Sequence, residues 1–311
     1  MTLRGALLSF RVQRFETVVI LGAAFLSVVV SSVVVAAVNA GGFAKCQTDD
    51  PSQFGSLCMT GVYPWLNRIA RLSVSIVPVF PIIAGLIAGG PIVARELETG
   101  TARLAWSLGP SRLRWLGQRA IPILLLVAMS ALAIGLTSEA LLHVLTPATD
   151  LDQSFTGFRS RGLLVAVEAL LVASIALAFG AILGRAVPTF ILALILVWGI
   201  GIAVDKVERE LLTSEASIAD VNAYEYSDAN LTLDNRLRFA DGTILTWEEA
   251  FRTHPELQNG FDETGEPRGV VYYIPGTRYH DVERREAAVL LALAAGFVVL
   301  ASVAVVRRRP R

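Results

Sequence analysis

Charge is scarce in this chain. Only 17% of its 311 residues are Asp, Glu, Lys or Arg, against about a quarter in an ordinary soluble domain. Acidic and basic residues number 27 each, so no net field draws the protein to nucleic acid. Histidine occurs three times, at His143, His254 and His280, and none lies near the two cysteines, Cys46 and Cys58. That spacing argues against a metal site. No GxxxxGKS/T run is present, so the chain carries no P-loop for ATP hydrolysis. HExxH, CxxC and GxSxG are missing as well, which leaves zinc-protease, dithiol and serine-hydrolase chemistry without sequence support.

What the chain has in abundance is apolar sequence: 54% of residues are hydrophobic. Residues 17–44, 72–94, 120–138, 186–204 and 287–306 contain no charge, and 162–184 contains only Glu168. A helix needs about 20 mostly apolar residues to cross a bilayer. These runs are too continuous for barrel strands, which alternate. Six membrane helices are therefore expected, at 17–38, 69–93, 120–143, 162–183, 188–205 and 287–306. The first could be a signal peptide, but its apolar run is too long and lacks a cleavage context, so an uncleaved helix is expected.

Arginine placement orients the spans. With the N-terminus inside, short inner loops and tails hold 13 of the 27 basic residues. Arg95, Arg103, Arg112, Arg114 and Arg119 lie between the second and third spans; Arg307, Arg308, Arg309 and Arg311 follow the last. The positive-inside rule then puts both termini in the cytoplasm. Cys46 and Cys58 fall in the first outer loop, where disulfides persist. A bridge is expected there, with two free thiols as the alternative.

Residues 206–286 read as a small mixed ectodomain between the fifth and sixth helices of an otherwise all-α polytopic membrane protein. Turn signals recur at Asp241-Gly242, Asn259-Gly260 and Pro275-Gly276. A strand is expected at 269–274 and a short helix at 247–252, capped by Thr246 with Glu249 three residues on. So short a segment is expected to have little core of its own. The Asn230-Leu231-Thr232 sequon is read as chance. The remaining divisions are an interfacial segment at 1–16, five spans over 17–205 with an inner loop at 94–119, and a last span with a basic tail over 287–311.

The inner loop begins ARELETGTARLAWSLGPSRLRW, from Ala94 to Trp115. Gly100 breaks the chain, Thr101 can cap a short helix from Ala102 to Leu108, Gly109-Pro110 stops it, and Ser111 can cap the next. A plain interfacial loop would account for Arg112, Arg114 and Arg119 as contacts to lipid phosphate. It would not account for a short capped helix with Glu96 and Glu98 upstream.

This stretch resembles the first cytoplasmic loop of ABC-2-type transporter permeases, especially the actinobacterial kind. The matching positions are Arg95, Glu96, Glu98, Gly100, Thr101, Leu104, Ala105, Trp106, Arg112, Arg114 and Trp115. FGAILGRAVPTF, with Gly180, Gly184, Arg185 and Pro188, and YYIPGTRYHDVERRE, with Tyr273, Pro275, Arg278, Tyr279 and Glu286, are similar to later segments of that family. The ectodomain looks larger than usual, and Ser107 stands where the family often has Thr.

The resemblance implies the six-helix ABC-2, type V exporter-like fold, in a bacterial inner membrane. It implies a second permease copy, as homodimer or heterodimer, and a pair of cytoplasmic ATPase subunits. ATP and Mg would be bound by that partner, with no cofactor in this chain. The short helix would be the coupling helix, with Glu96, Glu98, Thr101, Arg103, Leu104 and Trp106 meeting the ATPase; Trp106 and Leu104 would supply the anchor. Residues 1–16 would form an interfacial connecting helix. The second and fifth helices would line the path, through Pro78, Phe80, Pro81, Phe190 and Trp198, which suits an amphipathic or hydrophobic solute. Glu139, His143 and Glu168 form an intramembrane polar group, in which a Glu168–His143 or Glu168–Arg161 contact is expected before a substrate or proton role. Two other readings stay open: a membrane sensor or scaffold acting through its ectodomain, and a secondary transporter.

Overall fold

The structure, a computed structural model, describes residues 13–41, 46, 58, 61–108, 111–221, 229–255, 257 and 267–308. The expected connecting helix falls almost wholly outside them. The chain divides into two compact units: Met1–Ala148, Gly157–Ile200 and Glu283–Arg311 form one, and Thr149–Thr156 with Gly201–Val282 the other.

Helices build the larger unit because lipid offers the backbone no hydrogen bonds, and a helix satisfies its own. The elements are α1 (Arg14–Ala40), α2 (Tyr63–Ile76), α3 (Val79–Gly89), α4 (Pro91–Glu98), α5 (Thr101–Leu108), α6 (Arg112–Leu145), α7 (Gly162–Leu183), α8 (Ala186–Ser214) and α10 (Tyr279–Arg307); α8 and α10 each contribute residues to both units. Among the described residues six stretches are long and apolar enough to cross a membrane: α1, α3 with α4, α6, α7, α8 and Gly276–Arg307. All six expected spans are thus present. The second differs in form. The helix begins at Tyr63, helped by Pro64 in its first turn, and breaks twice, at Val77-Pro78 and at Gly90. Pro78 has no N–H to donate, and the Phe80 N–H bonds back to Val77 at 3.1 Å.

α7 is the most enclosed span. It packs against α3 and α6, and glycine sets the approach. A Cβ on Gly85 would sit 2.6 Å from the Val172 Cβ; one on Gly89 would run into the Ala173 carbonyl. Small residues let membrane helices touch backbone to backbone in this way. Gly89→Val is therefore expected to destabilise the protein by about 1–3 kcal/mol or more, the range for overpacking. Gly199→Ala, at a glycine with nothing within 4 Å, should melt like wild type. Equal melting of both variants in detergent would refute the close-packing account.

The C-terminal parts of α1 and α6 share with α2 a further core of Val34, Val38, Ala70 and Leu141. Cys46 and Cys58 are bridged, with Cα atoms 5.5 Å apart. An unreduced digest should yield the linked peptides by mass spectrometry; alkylation of both thiols without reductant would contradict the bridge.

The smaller unit holds a four-stranded antiparallel sheet in the order β1-β4-β2-β3, made of β1 (Ser217–Asp220), β2 (Leu231–Arg238), β3 (Ile244–Thr246) and β4 (Arg268–Ile274). The expected strand and the expected helix, α9 (Trp247–Thr253), are both there. Thr246 and Glu249 form the full capping box, and the Thr246 backbone N–H holds the Glu249 carboxyl below its usual pKa. Contrary to expectation, this unit has a core of its own: Leu151, Leu237, Ala250, Val270, Val271 and Ile274 are all fully buried. Part of it comes from Thr149–Thr156, which pattern reading left out of the ectodomain. The Phe155 N–H donates to the Ala229 carbonyl at 3.0 Å, and its ring lies edge-on to Tyr279. The Asn230 side chain accepts the Gly276 N–H at 3.2 Å. The Asn259-Gly260 turn lies outside the described residues.

Candidate functional site

α4 begins where Gly90 and Pro91 restart the helix. Pro91, Ile92, Val93 and Ala94 are buried, so the first turn is fixed in the core and the polar end, Arg95-Glu96-Leu97-Glu98, is held at the mouth of the bundle. Each charge there has a partner on a different helix. Arg95 pairs with Glu16 of α1 at 2.8 Å, and the Glu16 side chain is only 5% exposed. Glu96 pairs with Arg119 of α6. Glu98 Oε2 accepts the backbone N–H of Ala186, the first residue of α8, at 3.1 Å, where a carboxylate also complements the helix dipole.

Gly100, at φ +77°, then reverses the chain into α5; that left-handed conformation favours glycine. Thr101 is the first helical residue rather than the cap. Its hydroxyl meets the Thr99 hydroxyl at 3.0 Å and the Glu96 carbonyl at 3.4 Å. Ser111 precedes α6 but its side chain makes no cap bond. Ala102 is fully buried and anchors α5. Trp106 turns inward, with its ring edge-on to Trp115 at 5.6 Å and the Arg112 guanidinium 4.9 Å above it. Arg119 lies over Trp115 in the same manner. Leu104 instead points out, 64% exposed. Trp106 and Leu104, paired by the sequence as one anchor, thus face opposite ways. The Arg103 side chain and Gly109-Pro110 lie outside the described residues.

The tail joins this region, and pattern reading missed it. Arg112 Nη1 donates to the carbonyls of Val306 at 2.9 Å and Arg308 at 2.6 Å. Arg308 Nη1 in turn donates to the Ala181 carbonyl at 2.8 Å, beside Gly184, the left-handed cap that ends α7. Backbone acceptors leave no mark in a sequence, so the arginine run signalled only topology. Glu16, Glu96, Glu98 and these arginines link α4 to α1, α6 and α8, and α6 through the tail to α7.

The residues expected along the path have different surroundings within the single chain. Pro81 is buried and Phe80 packs against the main core. The Phe190 ring covers Gly90. Trp198 is 73% exposed.

The expected partners of Glu168 are corrected. His143 is exposed at the end of α6, and Glu168 makes no hydrogen bond or ion pair among the described residues, to His143 or to Arg161. Arg161, almost fully buried, stands immediately before α7, about two turns from Glu168. The charges that act on Glu168 are those of Arg159 and Glu286, themselves paired at 3.0 Å. Glu139 lies near Gly162, 3.8 Å from where a Cβ there would stand.

A model of the family described as ABC-2 membrane transporter related matches residues 17–209. No curated protein and no solved structure matches the chain.

Proposed function

The chain belongs to the ABC-2 membrane transporter related family and is a membrane-transport component; from that premise we propose that it is the permease subunit of an ATP-driven exporter, energised by a separate cytoplasmic ATPase. It works with a second permease copy and moves an amphipathic or hydrophobic solute. Both termini and the α4–α5 region face the cytoplasm of a bacterial inner membrane. The observation that carries this reading is the build of α4 and α5. A two-turn helix with an exposed leucine stands on a braced tryptophan, next to a helix whose three charges engage α1, α6 and α8. A push on α5 is delivered through α4 to those helices together, which is what a coupling element must do.

A separate core in the smaller unit favours a second reading, a sensor that moves nothing. Reconstitution in proteoliposomes with the co-expressed ATPase decides between them. Magnesium-dependent hydrolysis that rises with an amphipathic solute, and accumulation of that solute on the far side, are expected. An ATPase that neither co-purifies nor responds to the permease would refute the exporter reading.

A further inference from the structure

At the α7–α8 turn lies an open pocket of about 980 Å³, walled on its apolar side by Leu183, Val187 and Pro188 and on its polar side by Arg185 and Arg308. Glu98 also borders it, but its Oε2 is bonded to the Ala186 N–H. Arg308 spends one nitrogen on the Ala181 carbonyl and keeps four N–H donors. The Arg185 side chain is exposed and, among the described residues, makes no hydrogen bond or ion pair. Two guanidinium groups against one carboxylate leave the pocket a net positive charge, which favours an anion.

The apolar wall identifies the kind of anion. Val187 is the first of a stripe that runs along α8 through Ile191, Ile195 and Trp198, each more than half exposed. Spacings of four and three residues keep these side chains on one helix face. At 1.5 Å per residue the stripe is about 17 Å long. A basic pocket at the foot of an uncovered apolar stripe, at the end of a membrane helix, matches a molecule with a charged head and parallel hydrocarbon chains.

We propose that this pocket binds the phosphate of an anionic phospholipid, with Arg185 and Arg308 on the phosphate and the acyl chains along the Val187–Trp198 face of α8. The site is separate from the docking face of α5 and does not depend on an ATPase.

The test uses the purified full chain without any ATPase, so its outcome is independent of the exporter reading. The protein in mild detergent is offered phosphatidylglycerol, phosphatidylcholine or inorganic phosphate, and retained lipid is counted by native mass spectrometry. Preferential retention of phosphatidylglycerol is expected. Arg185→Gln should weaken it about fivefold, the effect of one arginine near an anionic headgroup. Arg68→Gln, at an exposed arginine of α2, should leave it unchanged. Among the described residues the Arg185 side chain has no partner to lose, so this variant should fold even if Arg308→Gln does not. Equal retention of the two lipids, or indifference to Arg185→Gln, overturns the proposal. Displacement of the lipid by millimolar inorganic phosphate would make this a site for a soluble phosphate and overturn the lipid assignment.

Discussion

Leu104→Asp is expected to weaken association with the partner ATPase more than about tenfold, with no loss of melting temperature. Leu104 is exposed in the isolated chain, so the substitution removes nothing the fold uses. Against a partner it removes an apolar anchor and introduces a carboxylate that must be desolvated. Truncating an interface hot spot costs about 2 kcal/mol or more, and about 1.4 kcal/mol is a factor of ten. Trp106→Ala should behave in the opposite order. Its ring braces Trp115 and carries the Arg112 guanidinium, so the loss falls first on stability. About 2 kcal/mol is expected, below the 3–5 kcal/mol range for a fully buried aromatic. Trp106→Phe should recover most of it. Co-purification and thermal unfolding, measured on the same preparations, separate the two effects. Full affinity and full coupling in Leu104→Asp would move the docking site off α5.

The second large effect is expected at Glu96. Its carboxylate is largely enclosed and meets Arg119, so Glu96→Gln leaves a cation short of its partner. Charged hydrogen bonds contribute about 1.5–3 kcal/mol, and a loss of about 2 kcal/mol is expected, together with reduced solute-stimulated hydrolysis as α4 loosens from α6. The reversed pair, Glu96→Arg with Arg119→Glu, should regain part of the stability. Recovery stays incomplete because Arg119 also lies over the Trp115 ring, an arrangement worth about 0.5–1 kcal/mol at an exposed site. A reversed pair less stable than either single variant would show that the two residues do not act through each other.

Features with a local cause were legible in the sequence. Six apolar runs gave six membrane-length helices, because continuous hydrophobicity leaves a chain in lipid no other hydrogen-bonded form. The Thr246–Glu249 cap depends on neighbours within a few residues, and the GVVYYI strand is marked by its own run of β-branched and aromatic residues, although its partners β1 and β2 are distant in sequence. The Cys46–Cys58 bridge followed from topology alone. Long-range pairings were not legible. Nothing in ARELE tells that Arg95 meets Glu16 or that Glu98 meets the backbone of Ala186. Those partners are chosen by how the helices pack, and one acceptor is a main-chain group common to every residue. The direction of Trp106 failed for a related reason. A two-turn helix has too little periodicity to say which face is covered, and the deciding neighbour, Trp115, belongs to the next helix. Leu151 and Phe155 were overlooked in the smaller core because they sit some fifty residues before the rest of that unit.

The glycine seam between α3 and α7 also determines where the second span can bend. At Gly85, Gly89 and Gly90 its main chain lies close on Val172, Ala173 and Gly180 of α7, with no room for an added side chain at Gly85 or Gly89. That stretch and α7 behave as a single stator. The missing hydrogen bond at Pro78 lies two turns beyond the seam, so a swing of the outer arm, α2, is concentrated there rather than spread along the helix. A spin label on α2 and another on α3 should therefore report the whole angular change of a transport cycle, while a pair on α3 and α7 should report none.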